Sequence, residues 1–294
     1  MVTRTHASRA LATLLAATLL GACAHARPVP EIDAGRGFFG PDGRRLGEAE
    51  LASAADRAAY VLVGETHDSA CDHEMQAALL EALAANGSPP LVGLEMVAVN
   101  QQDVLDRFGD GSIELADLAD ALDWQRSWGV DFALYEPVFA TARRWGLPLL
   151  GLNLPHRLVR DVARLGVDGL PPEDRARLPE IVPPPPEQEG MLREAWKAHA
   201  RDGHSGGGEE GFRRFVLVQS LWDSQMAAAA ISWRRALGRE PVAILAGAGH
   251  VAHGWGIAWR LRAMEPDATI LSVVPWRDDR PADAPGTISF RCSP

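Results

Sequence analysis

Two glutamates and two histidines stand at the ends of apolar, strand-like runs of this sequence. They are Glu65 and His67 in GETH (64–67), Glu95 in GLEM (93–96) and His250 in GAGH (247–250). In an open α/β sheet, side chains just beyond the carboxyl ends of the strands converge on one crevice, however far apart they lie in sequence. Carboxylates and imidazoles gathered there could bind Zn, Mn or Fe, or act as general acid and base. We therefore predict that these four residues form a catalytic or metal-binding set.

Each string also has a purely structural interpretation, in which Glu65 caps the following helix and His67 bonds a carbonyl group. Against this, the two residues are two positions apart, so an extended backbone would point both side chains the same way. GAGH repeats the glycine-to-histidine spacing of GETH after another strand. Glu95 directly follows the run LVGL and needs a partner if it is buried, because an unpaired buried charge is costly.

Other polar and aromatic residues fall near the same strand ends. Asn153 and His156 follow the run LPLLGL and belong by topology to the same rim, although Asn153 could equally be a turn residue or a helix cap. Tyr135 and Trp128 flank a helical stretch and could line a ligand pocket or belong to the core. Asp223, in a long helix, could pair with a site histidine and fix its tautomer, or could be an ordinary polar edge.

Short apolar runs alternate with stretches of helical periodicity, which predicts an α/β fold with a mostly parallel central sheet and helices on both faces. The predicted strands cover residues 59–63, 91–94, 147–152, 242–246 and 269–274, and the predicted helices cover 72–85, 137–145, 156–165, 212–237 and 257–264. A helical insertion over about 99–130 is expected to cover the site. The proline cluster 183–186 and the glycine-rich stretch 203–211 predict a flexible surface loop over 170–211.

The start of the chain has the pattern of a bacterial lipoprotein signal. Arg4 and Arg9 precede an apolar run too short to span a bilayer, and the string LGA precedes Cys23 as in a lipobox. We predict a signal peptide over 1–22 and a lipidated Cys23; the alternative is a plain signal peptide with a chance cysteine. Alanine rather than aspartate follows the cysteine, which by resemblance to sorted lipoproteins favours the outer membrane, facing the periplasm. A linker and small hairpin (23–58), one α/β domain (59–280) and a tail (281–294) would follow.

The charge balance of the chain restricts its possible partners. Without Arg4 and Arg9, 27 of the 29 basic residues remain against 39 acidic residues. Such an acidic chain is unsuited to binding nucleic acid.

Beyond Cys23, only Cys71 and Cys292 remain. In an oxidising compartment they could form a disulfide, or they could be two buried free thiols.

As a set, these strings resemble the ChaN-like haem-binding lipoprotein family. The matching order is GETH, GLEM followed by QQ, a tyrosine and proline before a helix, NLP after a strand, a long helix with Q...D..MA, and GAGH, spanning about residues 60–276. The paired glycine-to-histidine turns are also similar to those of the TraB and Tiki group, which includes proposed metal-dependent proteases, and more distantly to erythromycin esterases.

The resemblance implies an outer-membrane lipoprotein that binds haem in iron acquisition, with haem enclosed between the two protomers of a homodimer. Haem needs an axial donor, an apolar slot and cationic groups near its propionates. Tyr135, His156 and His204 are candidate axial donors, and we predict that Tyr135, Asn153 and His156 bind the cofactor. The alternative is a metal-dependent hydrolase, of protease or esterase type, in which the four strand-end residues hold a divalent metal and one carboxylate acts as general base.

Overall fold

The computed structural model describes residues 35–201, 208–276 and 286–292. The predicted signal peptide, Cys23 and His204 lie outside these ranges. Within them, no helix combines the length and apolar character that crossing a membrane requires.

A single eight-stranded sheet forms the centre of the described structure, and six neighbouring strands of it are parallel. Its strands are β1 (Gly37–Phe39), β2 (Arg45–Leu46), β3 (Tyr60–Glu65), β4 (Leu91–Ala98), β5 (Leu149–Asn153), β6 (Val242–Gly247), β7 (Ile270–Pro275) and β8 (Ile288–Arg291). The order across the sheet is β2-β1-β8-β7-β3-β6-β4-β5. The strands from β8 to β5 pair in parallel, and the hairpin β1–β2 adds an antiparallel edge. This arrangement confirms the predicted α/β class.

Helices cover both faces of the sheet. They are α1 (Glu48–Ala55), α2 (Ala70–Ala85), α3 (Gln102–Gly109), α4 (Leu115–Ala121), α5 (Trp124–Ser127), α6 (Glu136–Trp145), α7 (His156–Leu165), α8 (Pro172–Arg175), α9 (Pro186–Arg201), α10 (Gly208–Leu237), α11 (Ala248–Val251) and α12 (Ile257–Met264). Within β3, Val61 and Val63 pack under α2, whereas Tyr60 and Leu62 pack on the opposite side, under α10 and α12. Because both faces are buried, the central strands are apolar throughout rather than alternating.

Three segments differ from the sequence-based prediction. Strand β4 continues to Ala98, four residues past the predicted end, and its register against β5 shifts between Leu94 and Ala98. Helices α8 and α9 occupy much of the predicted flexible loop 170–211, and Pro186 stands at the first position of α9, where a proline is tolerated because that N–H is not needed. Strand β8 forms in the predicted tail, because β7 and β1 offer it partners on both sides.

The two cysteines left open by the sequence form a disulfide. Cys71 lies in the first turn of α2, Cys292 directly follows β8, and their Cα atoms are 5.9 Å apart. The bond therefore ties the C-terminal end of the sheet to the helix that follows GETH.

Candidate functional site

The structure brings the four strand-end residues together. Strand β6 lies between β3 and β4, so the three strands deliver their polar residues to one crevice. Glu65 ends β3, and its Oε1 lies 2.5 Å from Nδ1 of His67. Glu95 lies in β4, and its Oε1 is 3.4 Å from Nε2 of His250, which follows β6. The predicted convergence of these side chains is therefore present, in what we call the strand-end crevice (Glu65, His67, Glu95 and His250).

The turn that carries His67 is held by the first turn of α2. The backbone N–H of Thr66 donates to Oδ2 of Asp72 at 2.9 Å, and Nε2 of His73 lies 3.1 Å from the carbonyl oxygen of His67. Ser69 caps the helix by accepting a hydrogen bond from the backbone N–H of Asp72. The buried Asp72 and His73 were not singled out from the sequence, because a polar residue in a helix ordinarily faces solvent.

Glu95 is oriented by the backbone of its neighbours. The N–H of Gly247 donates to its Oε2 at 2.6 Å, and the side-chain amide of Asn153 donates to its carbonyl oxygen at 2.9 Å. The extension of β4 past Leu94 makes Glu95 a strand residue whose side chain is buried. Asn153, predicted to lie on the same rim, is therefore in contact with the main chain of a crevice residue.

His250 is paired on both ring nitrogens. Its Nδ1 lies 2.7 Å from Oδ1 of Asp223 in α10, the pairing that the sequence suggested, while Nε2 faces Glu95. Burial alone would lower the pKa of His250. The negative charges of Glu95 and Asp223 outweigh that effect and raise the pKa to about 9.

The pKa of His67 is raised for a similar reason, although this side chain is less buried than that of His250. Burial lowers its pKa, and the hydrogen bond and charge of Glu65 raise it by more, so that the pKa lies above the ordinary value of 6.5. Its ring packs edge-on against Trp128, with ring centroids 4.8 Å apart.

Three residues of the crevice could hold a cation. Glu65, His67 and Glu95 each offer one donor atom, and these atoms all lie within 4.8 Å of one another. Oε2 of Glu65 is buried and has no hydrogen-bond partner among the described residues. A buried carboxylate oxygen without a partner is costly, so this atom is suited to a positively charged ligand. Mixed carboxylate and imidazole donors match the preferences of Zn, Mn or Fe.

Gly247 ends β6 at a position where a side chain would meet His67. A Cβ atom there would lie 2.9 Å from Cε1 of His67 and 3.7 Å from Oε2 of Glu95. We expect Gly247→Ala to fold, because the half-buried imidazole can rotate away, and to separate His67 from Glu65. The pKa of His67 should then fall toward 6.5, as an NMR titration of the histidine Cε1 protons would measure.

Gly249→Ala is the matched control, because a Cβ atom at that exposed position meets nothing within 4 Å. An unchanged pKa of His67 in Gly247→Ala would show that close packing against β6 does not hold the imidazole on Glu65.

A cleft of about 390 Å³ opens beside the crevice. Glu95 contributes to both, and the residues that line the cleft include Asn153, His156, Trp128, Trp222 and Arg126. His156 and Arg126 are exposed, while the two tryptophans are half-buried. Arg126 and Trp222 were missed as site residues, because only the folding of α5 and α10 against the strand ends brings them to this rim.

Tyr135 lies beneath the cleft rather than in it. Its side chain is 1% exposed, and its hydroxyl accepts a hydrogen bond of 2.9 Å from Nε1 of Trp128 and lies 3.5 Å from the carbonyl oxygen of His67. Burial raises the pKa of Tyr135 above its ordinary value, and the charge of Glu65 adds to this. The ring packs against that of His73, with centroids 3.9 Å apart and the two planes tilted by 39°. Tyr135 and His156 are therefore not brought together at one surface.

The fold and the site define an α/β protein with a histidine- and carboxylate-lined crevice at the strand ends and a cleft next to it. The sequence profile of the family described as "Haem-binding uptake, Tiki superfamily, ChaN" matches residues 51–261. This chain belongs to that family, and the resemblance noted from the motifs is confirmed. No curated protein matches the sequence significantly.

Comparison with solved structures finds the same fold in one case and weaker similarity in others. The structure described as "Cofacial heme binding to ChaN of Campylobacter jejuni" superimposes with a TM-score of 0.67 at 19% identity, covering 86% of this chain and 96% of that one. The type III effector HopBA1 has a TM-score of 0.49 at 14% identity, with 89% and 97% of the two chains covered. The erythromycin esterase EreC has a TM-score of 0.45 at 14% identity, with 82% and 76% covered.

Proposed function

We propose that this protein binds haem in the cleft beside Glu95 and takes part in haem or iron uptake. The single observation that carries the proposal is the composition of this cleft in a chain of the haem-binding uptake family. Haem needs an axial donor, apolar walls and cations near its propionates. His156 is an exposed imidazole at the rim, Trp128 and Trp222 supply apolar surface, and Arg126 supplies a cation.

Of the two described donor candidates, His156 has the better support. Its imidazole is exposed on the cleft, whereas the hydroxyl of Tyr135 is buried and hydrogen-bonded to Trp128. Asn153, next to His156 on the same rim, would orient Glu95 rather than contact iron.

The test is to mix the purified protein with hemin and follow the Soret band. We expect a shifted band in the wild type, and an affinity at least about tenfold weaker in His156→Ala, a loss of about 1.4 kcal/mol in binding free energy. Tyr135→Phe should bind as the wild type does. Unchanged binding in His156→Ala together with loss in Tyr135→Phe would assign the donor to the tyrosine, and no Soret shift in the wild type would contradict haem binding.

Lipid anchoring and dimer formation are parts of the same proposal. Cys23 would carry the lipid and hold the protein in the outer membrane, facing the periplasm, and two copies would enclose haem between them. Labelling with a radioactive fatty acid should be lost in Cys23→Ser, and membrane fractionation should report the location. Sedimentation with and without hemin would test for the homodimer; a monomer in both conditions would contradict it.

A second candidate function is metal-dependent hydrolysis in the strand-end crevice. It is favoured by the donor atoms of Glu65, His67 and Glu95 and by the unpartnered Oε2 of Glu65. A Zn, Mn or Fe ion held there would supply Lewis-acid chemistry. Of the chain's own groups, Glu95 would hold or accept a proton at Oε1, next to Nε2 of His250.

Elemental analysis of the purified protein tests this candidate. We expect stoichiometric zinc, manganese or iron that is lost in His67→Ala and weakened in His250→Ala, because His67 is one of the three donors and His250 contacts the donor Glu95. Hydrolysis of ester or peptide substrates should fall in parallel. The His156→Ala variant is the control, because it changes the cleft and leaves the crevice intact. A protein that binds hemin and no metal would contradict the hydrolase and leave haem binding as the function.

A further inference from the structure

Arg260 is a fully buried guanidinium next to the crevice. It lies in α12, and its side chain has no exposed surface. Its Nη1 is 3.1 Å from Oδ2 of Asp223 and donates to the carbonyl oxygen of Trp255 at 2.7 Å, and its Nε donates to the carbonyl oxygen of Val182 at 3.2 Å. Neither haem binding in the cleft nor metal-dependent hydrolysis in the crevice, as proposed, involves this residue.

Gln188 holds the same carboxylate from another direction. It lies in the first turn of α9 and is buried. Its Nε2 donates to Oδ2 of Asp223 at 3.0 Å, and its Oε1 accepts a hydrogen bond from Nη1 of Arg260. The two oxygens of Asp223 therefore have different partners. Oδ2 contacts Arg260 and Gln188, and Oδ1 contacts Nδ1 of His250.

This division fixes the direction of the histidine ring. The carboxylate of Asp223 cannot rotate without separating a buried ion pair with Arg260 and breaking a buried hydrogen bond from Gln188, and both losses are costly. An imidazole that donates Nδ1–H to the other oxygen presents its Nε2 in the opposite direction, which here is toward Glu95. Burial lowers the pKa of Arg260, and the charge of Asp223 opposes this, which keeps the two charges paired.

We propose that Arg260 and Gln188 are positioning residues for the strand-end crevice, which act through Asp223 to hold Nε2 of His250 toward Glu95. The segment 182–188, which leads into α9, thereby becomes part of the site although none of it contacts the crevice residues directly. This role concerns the protein before any ligand binds, so it applies to either function proposed above.

The rival explanation is that Arg260 only anchors the proline-containing segment 182–186 to α12. Both explanations predict a less stable protein when Arg260 is removed. They differ at His250, because only a positioning role changes the hydrogen bond of its Nδ1 proton.

The experiment is proton NMR of the protein labelled with ¹⁵N-histidine. An Nδ1 proton shared with a buried carboxylate should give a downfield signal protected from solvent, assigned to His250 by its absence in His250→Gln. We expect this signal to be lost in Arg260→Met and restored in Arg260→Lys. Gln188→Leu, which keeps the guanidinium and hence a folded protein, should shift the signal if Arg260→Met does not fold.

Ser220→Ala is the matched control, because Ser220 accepts a hydrogen bond of 3.3 Å from Nη2 of Arg260, whereas the side-chain hydrogen bonds of Asp223 go to Gln188 and His250. It should leave the His250 signal unchanged. Zn²⁺ affinity, measured by competition with a chelator, is the second readout, and we expect it to fall about 10- to 100-fold in Arg260→Met if the crevice binds the ion. An unchanged His250 signal in both Arg260→Met and Gln188→Leu, or an equal loss in Ser220→Ala, would overturn the proposal. A wild type that binds no Zn²⁺ would contradict a zinc-dependent hydrolase and leave the NMR result to decide the positioning role.

Discussion

Replacing Cys71 and Cys292 together by serine, in a Cys23→Ser background, is expected to lower the free energy of unfolding by about 5 kcal/mol. The disulfide joins residues 221 positions apart, so its loss frees a very long loop in the unfolded chain. In the chain-entropy account, the stabilisation grows with the logarithm of loop length, which places this bond at the upper end of the usual range. The melting temperature should fall by roughly 10 °C or more.

Urea unfolding followed by circular dichroism measures this effect. The wild type treated with dithiothreitol should reproduce the double variant, and Cys71→Ser alone should do so as well, because one remaining thiol forms no intramolecular bond. Superimposable unfolding curves for the oxidised wild type and the double variant would refute the prediction. Hydrogen exchange at the amide of Thr66 should also quicken, since it donates to Asp72 in the same helical turn as Cys71.

The second large effect is a loss of stability at alkaline pH. The pKa of His250 is about 9 in the folded protein and about 6.5 in the unfolded chain. The folded state therefore binds this proton more tightly, and the resulting stability is fully present below pH 6.5 and is lost as the pH rises through 9. The shift corresponds to about 3 kcal/mol. His67, whose pKa is also raised, changes stability in the same direction.

Urea unfolding between pH 6 and pH 9.5 checks this prediction, with a chelator present so that no cation displaces the protons. The wild type should lose about 3 kcal/mol over this range, and His250→Gln should lose much less. His253→Asn is the control, because His253 is exposed, stacks on Trp255 and has a positive φ that asparagine tolerates. A wild-type stability that does not fall with pH would show that Glu95 and Asp223 do not stabilise the imidazolium.

The cleft and the crevice share residues, which links the two candidate functions physically. Glu95 lines the cleft and contacts His250, and Trp128 lines the cleft and packs on His67. Substitutions behind the crevice, such as at Asp223, are therefore the better probes of metal chemistry. Substitutions at the rim of the cleft, such as at His156, are the better probes of haem binding.

The positions of most helices and strands were predictable because they depend on local sequence. Strand β3 is an uninterrupted apolar run because it is buried on both faces, and α2 has apolar residues at a spacing of about 3.6 because one side of the helix is packed more tightly than the other. The end of β4 was misplaced because Glu95 looks like the polar residue that terminates a strand. Here it is instead a buried strand residue, whose carboxylate is paired with Gly247 at the end of β6 and with His250 just after that strand.

The sequence by itself determined the α/β class, the family, and the four residues that meet in the crevice, since the carboxyl ends of parallel strands share one edge whatever lies between them. Only the tertiary structure decided which partners complete the site: Asp72 and His73 under the GETH turn, and Arg260 and Gln188 behind Asp223. It also decided that His156 faces the cleft while Tyr135 is buried. The physical reason is that contacts between distant segments depend on strand order and on the packing of helices across the sheet, and neither leaves a periodic trace in the local sequence.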